Sequence, residues 1–257
     1  MCNQTFQLFL KSFYQGSVGK ELLEEEKSLL EQGLSCVFGY FLVQIGQTSE
    51  NDLLVSSRIN QKVIVDNFIP KPLNNEKNYE WVYADIDYLP FKPGSVDAVF
   101  LPHTLESVPD PYHLLRQVDK MIMADGRLII SGFNPRGNKI WKFSFGKYRK
   151  NFKQAHLISE KRLVDWLNLL GYELEFILYK TYHSYDSVWT MDFVKAGLQR
   201  LAHKLGLEFG NVYVIVAKKR VESPTPVGLN WRLANWLPIK RGKVLVSNQT
   251  NHKRKRK

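Results

Sequence analysis

Short apolar runs alternate with longer segments of helical periodicity along most of the chain. Each run is nearly continuously apolar, which is typical of parallel strands that are covered by helices on both faces. The fold class predicted is therefore α/β: a Rossmann-like, mainly parallel sheet with helices on both faces and an antiparallel late strand. The runs predict strands at 40–45, 63–66, 79–83, 96–101, 127–131, 173–179 and 211–217.

Leucines that recur at intervals of three and four residues predict helices between these strands. Capping and terminating residues set the expected bounds, because Ser and Asp favour helix starts and Gly favours helix ends. The first predicted helix covers 17–37, with Ser17 as its cap. The second runs from Asp110-Pro111 to Asp125-Gly126, the third from Ser159 to Gly171, and most of 182–208 is also predicted to be helical.

The charge of the chain is concentrated at its carboxyl end. Residues 221–257 carry nine of the 36 basic residues and one of the 25 acidic residues, so this segment holds +8 of the net charge of +11. We predict one folded domain over 1–220, with an N-terminal helix within 1–38, and a basic, extended tail over 221–257. The terminal run 253–257 is either a phosphate-binding arm that contacts nucleic acid or a solvated tail.

Several classes of protein are disfavoured by what the chain lacks. There is no run of about 18 apolar residues, so no transmembrane helix is expected. The first residues do not show a basic start followed by an apolar core, so we expect no secretory signal. Cys2 and Cys36 have no metal-ligand spacing and indicate reduced thiols. A cytoplasmic protein without a metal site is expected.

Polar residues and a glycine follow three neighbouring strands of the predicted sheet. An open α/β sheet binds nucleotide-like ligands outside the carboxyl ends of its strands. Gly46 offers a first turn where a ligand can approach the backbone, and Asp66 ends the second strand about 20 residues later, which is the spacing of a ribose-binding carboxylate. Asp85, after the third strand, is suited to accept a hydrogen bond from an exocyclic amine.

The block from Ala84 to Phe100 carries a family resemblance. It reads Ala-Asp-Ile-Asp-Tyr-Leu-Pro-Phe and continues to Ser-Val-Asp-Ala-Val-Phe, and it resembles the D-a-x-x-L-P-F-x-x-x-S-F-D-x-V block of class I S-adenosylmethionine-dependent methyltransferases. The segment from Pro109 to Ile130 is similar to that family's next helix and fifth strand. The likeness covers roughly 40–135; it is closest to the ubiquinone-biosynthesis-like branch and also resembles a little-characterised bacterial group.

The resemblance implies a cofactor and the residues that hold it. The cofactor would be S-adenosylmethionine, with Asp85 and Ile86 at the adenine and Asp66 at the ribose. The turn around Gly46, with Gln44 before it, would hold the methionine end.

The turn after the first strand departs from the family pattern. That family has an acidic residue followed by a glycine-rich turn; here Gln44 replaces the acid, and Thr48 and Glu50 stand where glycines belong. Three alternatives follow: a methyltransferase with an altered cofactor turn, one that binds the cofactor weakly, or an inactive methyltransferase-like module that binds RNA or protein through its basic segment and tail. A nicotinamide-dependent dehydrogenase is disfavoured, because G-x-G-x-x-G is absent.

The sequence gives less specific signals for the residues that would contact the methyl acceptor. His103, just past the fourth strand, is a candidate general base, with a structural histidine as the alternative; Glu106 is expected to be a solvated helix residue. Asn134 either binds substrate or forms a turn. Segment 136–153 is basic and aromatic, and Trp141 within it is a candidate substrate contact. The segment either binds the acceptor, nucleic acid or a membrane surface, or forms an ordinary surface helix. The predicted acceptor is a small molecule or RNA.

Overall fold

A seven-stranded sheet forms the centre of the computed structural model, which describes residues 4–49, 52–67, 79–86, 88–179 and 210–220. The strands are β1 (Phe41–Ile45), β2 (Gln61–Asp66), β3 (Tyr79–Tyr83), β4 (Val96–Pro102), β5 (Ile122–Phe133), β6 (Tyr172–Tyr179) and β7 (Val212–Lys219). They lie in the order β3-β2-β1-β4-β5-β7-β6, and β7 runs antiparallel to its two neighbours, β5 and β6. This confirms the predicted fold class.

Helices cover both faces of the sheet, as the continuously apolar strands predict. Successive strand residues point to opposite faces, so Val43 of β1 packs in one apolar layer and Leu42 in the other. The first layer is completed by α4 and α7, and the second by α1, α2 and the segment containing α5 and α6. The helices are α1 (Gln4–Phe13), α2 (Ser17–Ser35), α3 (Thr104–Ser107), α4 (Pro111–Met121), α5 (Asn138–Phe145), α6 (Arg149–Gln154) and α7 (Glu160–Leu169).

The amino-terminal region differs from its prediction. Two helices, α1 and α2, stand where one was expected within 1–38. Gly16 is the cap of α2, and Ser17 is the first residue inside that helix rather than its cap. The apolar residues of α1 include Phe6 and Leu10, which are fully buried. A ten-residue helix is marginal by itself, so tertiary packing of this apolar face accounts for its formation.

The predicted end of the helix that starts at Asp110 also differs from the structure, in which this helix is α4. The helix begins as predicted, because the Asp110 carboxylate accepts a hydrogen bond from the backbone N–H of His113 at 3.0 Å. It ends at Met121, however, and β5 starts at once instead of after Asp125-Gly126. Asp125 has a φ of 62° and lies in a bulge of β5, where the pairing with β4 shifts register.

Some predictions fall on parts of the chain that the structure does not describe. These are the helical region predicted over 182–208, the tail 221–257, and the residues Cys2 and Glu50. Among the residues that are described, no helix combines the length and the apolar character needed to cross a membrane.

Candidate active site

The strand order reverses direction between β1 and β4, and this switch point lies beside the residues that the sequence singled out. From β1 the chain continues to β2 and β3 on one side, while β4 and the later strands lie on the other. Such a reversal opens a crevice outside the carboxyl ends of the strands. Gly46 follows β1, Asp66 ends β2 and His103 follows β4, so the fold brings the ends of these three strands to one edge.

The turn after β1 is narrow and needs glycine at its first position. Gly46 has a φ of +85°, which L-residues with side chains rarely adopt. A Cβ placed there would lie 3.1 Å from Gln7 Nε2 and 3.2 Å from Thr104 Oγ1. The Gly46 N–H donates to the Val65 carbonyl at 2.7 Å, and Gln44 Nε2 donates to the Gly46 carbonyl at 2.9 Å. Gln44 therefore holds the turn in place.

Asp66 is buried at the end of β2 under helix α1. Its side chain is 1% exposed. The carboxylate accepts from the Gln47 backbone N–H at 3.1 Å and from Gln7 Nε2 at 3.3 Å, and Lys11 Nζ lies 3.6 Å away. Gln7 and Lys11 are four residues apart, which puts both side chains on one face of α1. Helix α1 thus covers the edge of the sheet where a ligand is expected.

Polar atoms in this crevice, among them Gln7 Oε1 and Thr48 Oγ1, are buried without a hydrogen-bond partner among the described residues. Gln7 and Thr48 are 3% and 1% exposed, so water from the bulk does not reach these groups freely. A buried amide oxygen or hydroxyl without a partner costs about 1–3 kcal/mol, so a ligand that supplies hydrogen bonds to these atoms would be stabilised here.

The loop after β3 places the two candidate adenine contacts differently. Asp85 is exposed, whereas Ile86 is buried at 1% exposure and packs in the layer that contains Val65. The Tyr88 N–H donates to the Asp85 carbonyl at 2.9 Å and closes a turn between them. The exposed carboxylate of Asp85 is accessible to a ligand from solvent, whereas the Ile86 side chain is enclosed in the core.

His103 lies inside the protein between two carboxylates. The ring is fully buried, and its backbone has a φ of 49° at the start of α3. Nδ1 lies 2.8 Å from Glu106 Oε2; Nε2 lies 3.0 Å from the Tyr14 hydroxyl and 3.4 Å from Glu26 Oε2. The ring also stacks on Phe133 with centroids 4.1 Å apart. Both ring nitrogens therefore face acceptors, which is the arrangement of a protonated imidazole.

The two carboxylates are held by further hydrogen bonds. Ser131 Oγ donates to Glu26 Oε1 at 2.6 Å, the Tyr14 hydroxyl donates to Glu26 Oε2 at 3.3 Å, and the Phe133 N–H donates to Glu106 Oε1 at 2.6 Å. Burial alone would lower the pKa of His103, but the adjacent Glu26 and Glu106 outweigh it and raise that pKa to about 10. Burial likewise favours the neutral form of Glu26, yet His103 and the hydrogen bonds together lower the pKa of this carboxyl. Burial raises the pKa of Glu106.

A methyltransferase family and several solved methyltransferases are similar to this chain. A sequence model described as a methyltransferase domain matches residues 56–130. That range contains Asp66, Asp85 and the block through β4 and β5. Residues 56–130 are a methyltransferase domain.

Solved structures extend the likeness of the methyltransferase domain beyond the matched residues. An S-adenosylmethionine-dependent methyltransferase from Archaeoglobus fulgidus has a TM-score of 0.56 and 20% identity, with 82% of this chain and 98% of that one covered. A possible histamine N-methyltransferase from Thermotoga maritima has a TM-score of 0.53 and 17% identity, covering 77% and 91%. Geranyl diphosphate C-methyltransferase from Streptomyces coelicolor, solved with S-adenosyl-L-homocysteine, has a TM-score of 0.51 and 16% identity, covering 76% and 77%. These likenesses show the class I methyltransferase fold.

A curated relative is similar over a longer stretch than the domain model. The uncharacterized protein YafS of Escherichia coli (strain K12) is 31% identical over 160 residues. The match covers 62% of this chain and 62% of that protein, so it spans less than two thirds of the relative. The predicted likeness to the ubiquinone-biosynthesis-like branch stays a prediction.

The placement of His103 in the methyltransferase domain does not agree with its predicted role as general base. A base must accept a proton near neutral pH and reach the substrate. The His103 ring is fully buried, and its raised pKa keeps it protonated at neutral pH. The alternative, a structural histidine, agrees with its contacts: it joins α2, through Glu26, to the end of β4.

The two candidate substrate contacts occupy different environments. Asn134 is 1% exposed; its Oδ1 accepts from the Arg136 N–H at 3.0 Å, and its carbonyl accepts from the Gly137 N–H at 2.8 Å. These contacts agree with the turn-forming alternative. Trp141 is 58% exposed on α5 and remains available to a ligand.

Sequence reasoning missed several residues of the site. Gln7 and Lys11 escaped notice because α1 was not predicted, and Tyr14 and Glu26 are distant from His103 in sequence. Glu106 was expected in solvent but is 1% exposed, since the imidazole and the Phe133 N–H compensate its burial. The only signal for it was the spacing of three residues from His103.

Proposed function

We propose that this chain is an S-adenosylmethionine-dependent methyltransferase that acts on a small-molecule or RNA acceptor. The observation that supports it most is the buried carboxylate of Asp66 beside the Gly46 turn, at the switch point of a class I methyltransferase fold. A carboxylate at the end of the second strand is placed to accept hydrogen bonds from both ribose hydroxyls.

The residues present fit the cofactor. Gly46 adopts the positive φ of the turn without a side chain of its own, and a ligand would reach its backbone once the neighbouring Gln7 side chain moves aside. The buried Thr48 Oγ1 and Gln7 Oε1, which have no hydrogen-bond partner among the described residues, would offer hydrogen bonds near the methionine end. Ile86, which is buried in the layer that contains Val65, would line the adenine only if the loop after β3 exposes it, and the exposed Asp85 would accept from the adenine amine. Gln44 would act indirectly, by fixing the Gly46 carbonyl. The altered glycine pattern is thus compatible with binding, since polar side chains replace part of the backbone contact.

The bound cofactor would supply a methyl group activated by its sulfonium. The chain's own contribution is to hold the acceptor nucleophile in line with that methyl group and to exclude water, which accounts for much of the acceleration in such reactions. Any proton that the acceptor loses must be taken by a group other than His103, because this imidazole is already protonated and enclosed.

The test is isothermal titration with S-adenosylhomocysteine. We expect the unmodified chain to bind at micromolar concentration. Asp66→Asn should weaken binding by roughly 10- to 100-fold, the range for losing charge-assisted hydrogen bonds. Asp165→Asn is the matched control, since Asp165 is an exposed carboxylate on α7, and it should bind as the unmodified chain does. The absence of binding at millimolar concentration would refute the proposal.

A second candidate function, that of a module without methyltransferase activity, is favoured by the burial of the Gly46 turn. Thr48 is 1% exposed and the side chains of Gln7 and Lys11 already contact Asp66, as expected of an inactive module that binds RNA or protein instead of the cofactor. The unpartnered atoms of Gln7 and Thr48 favour the enzyme, because a site that had lost its ligand would gain by replacing them with apolar groups. RNA binding without cofactor binding, lost on deletion of 221–257, would establish the module.

A further inference from the structure

An exposed face of α5 and α6 combines two aromatic side chains with five cations. On α5, the exposed residues Trp141, Lys142 and Phe145 fall within an arc of roughly 100°, given 3.6 residues per turn. The exposed residues Lys147, Arg149, Lys150 and Lys153 follow in the next turn and on α6. We call this set, Trp141, Lys142, Phe145, Lys147, Arg149, Lys150 and Lys153, the basic–aromatic face.

The opposite sides of both helices are fixed to the protein. Phe143, Tyr148 and Phe152 point inward and meet the aromatic rings of α1. Phe13, for example, lies 5.2 Å from the Tyr148 ring and 5.8 Å from the Phe143 ring, centroid to centroid. The basic–aromatic face is therefore the outer surface of a packed element.

The cations of this face have no neutralising partners among the described residues. No acidic residue occurs between Asp125 and Glu160 in the sequence. Lys139, on the inner side of α5, pairs with Glu21 at 2.7 Å, but none of the five exposed cations forms an ion pair with a described carboxylate. Lys147 instead lies over the Tyr148 ring, 5.7 Å from its centroid. A positive field of this density favours a polyanionic surface as partner.

The arrangement of Trp141 and Phe145 favours one kind of polyanion, a membrane surface, over another, a nucleic acid. Trp141 is 58% exposed and Phe145 70% exposed, and their centroids are 5.1 Å apart at an interplanar angle of 51°. The two rings contact each other, so they leave no slot in which a nucleic-acid base would stack between them. Together they form one apolar projection surrounded by cations. A membrane interface accommodates this arrangement, with aromatic rings at the boundary of the acyl chains and lysines at anionic headgroups.

We propose that the basic–aromatic face docks on the surface of a membrane that contains anionic phospholipids. Trp141 and Phe145 enter the headgroup region, and the five cations contact lipid phosphates and carboxylates. The proposal is independent of the cofactor site, which lies at the ends of β1 and β2.

The test is flotation of the full chain with vesicles of two compositions. One is phosphatidylcholine alone and the other contains about 30% phosphatidylserine, a strongly anionic surface. We expect flotation only with the anionic vesicles and release at high salt, because the attraction is screened. Equal flotation with both compositions, or none with either, would overturn the proposal.

Two variants test whether vesicle binding depends on the basic–aromatic face. The triple variant R149E/K150E/K153E should reduce the partition coefficient at least about a hundredfold, since each Lys or Arg near an anionic surface contributes roughly fivefold. The double variant W141S/F145S should reduce it roughly tenfold while leaving every charge, including those of the basic tail, unchanged.

The matched control has the same change of charge elsewhere. K92E/R116E/K120E reverses three exposed cations at the loop before β4 and on α4, which packs on the other layer of the sheet. It should float as the unmodified chain does. Loss of flotation in this control, or none in the two face variants, would contradict the proposal. So would binding of single-stranded RNA that the face variants abolish while vesicles are not bound.

Discussion

At the scale of single residues, the central feature is an imidazole enclosed by two carboxylates. Glu26 comes from α2, Glu106 from α3, and His103 from the junction that follows β4. Removing one member of a buried ionic group commonly costs about 3–5 kcal/mol, because the others keep their burial and lose their compensation. The cluster thus contributes to the attachment of α2 to the sheet rather than to proton transfer.

The protonation of His103 is directly measurable. We expect its imidazole to remain protonated from pH 6 to pH 9, because Glu26 and Glu106 raise its pKa to about 10. The folded value lies above the ordinary 6.5, so its contribution to stability is complete below about pH 6.5 and is lost as the pH rises toward 10.

Nuclear magnetic resonance of the imidazole carbons and nitrogens checks this expectation. The exposed His113, which lies outside the cluster, gives a second imidazole signal in the same spectrum and serves as the control. Titration of His103 with a midpoint near neutral pH would show that the two carboxylates do not hold its proton, and would leave only its burial as an argument against the general base.

At the scale of secondary structure, α1 decides how accessible the proposed cofactor site is. Its inner side chains include Gln7 and Lys11 at Asp66, while Phe9 and Phe13 pack against the rings of α5 and α6. The carboxylate that should accept the ribose hydroxyls therefore already has partners on this helix. Ligand binding must exchange these partners for ribose hydroxyls.

Replacing Lys11 should reveal this exchange. Lys11→Met removes the ion pair with Asp66 and keeps an unbranched side chain, so S-adenosylhomocysteine should bind about threefold or more tightly, the scale of a partly exposed ion pair. Isothermal titration measures the change. Lys20→Met, at an exposed position of α2, should leave the affinity unchanged. Weaker binding by Lys11→Met would mean that Lys11 assists the ligand instead of competing with it.

At the scale of the whole molecule, sequence patterns predicted the sheet well and the covering of its edge poorly. The strands are short apolar runs between turn residues, so their number and type follow from local composition, and the Asp66 spacing follows from the chain length of one crossover. The local signal for helix α1 is the helical spacing of its apolar residues, Phe6, Phe9, Leu10 and Phe13. This short segment is nevertheless held as a helix by distant residues that bury Phe6 and Leu10. Likewise, the burial of Glu106 is compensated by His103 and by the Phe133 N–H, and the other ring nitrogen of His103 faces Glu26 from α2.

The most direct test of the account is a crystal structure of the chain with S-adenosylhomocysteine. We expect the ribose hydroxyls within hydrogen-bond distance of Asp66, the adenine against Ile86, and the side chains of Gln7 and Lys11 moved from their present contacts with that carboxylate. A structure obtained at millimolar ligand in which Gln7 and Lys11 still contact Asp66, with no ligand beside Gly46, would contradict the claim that this edge of the sheet binds the cofactor.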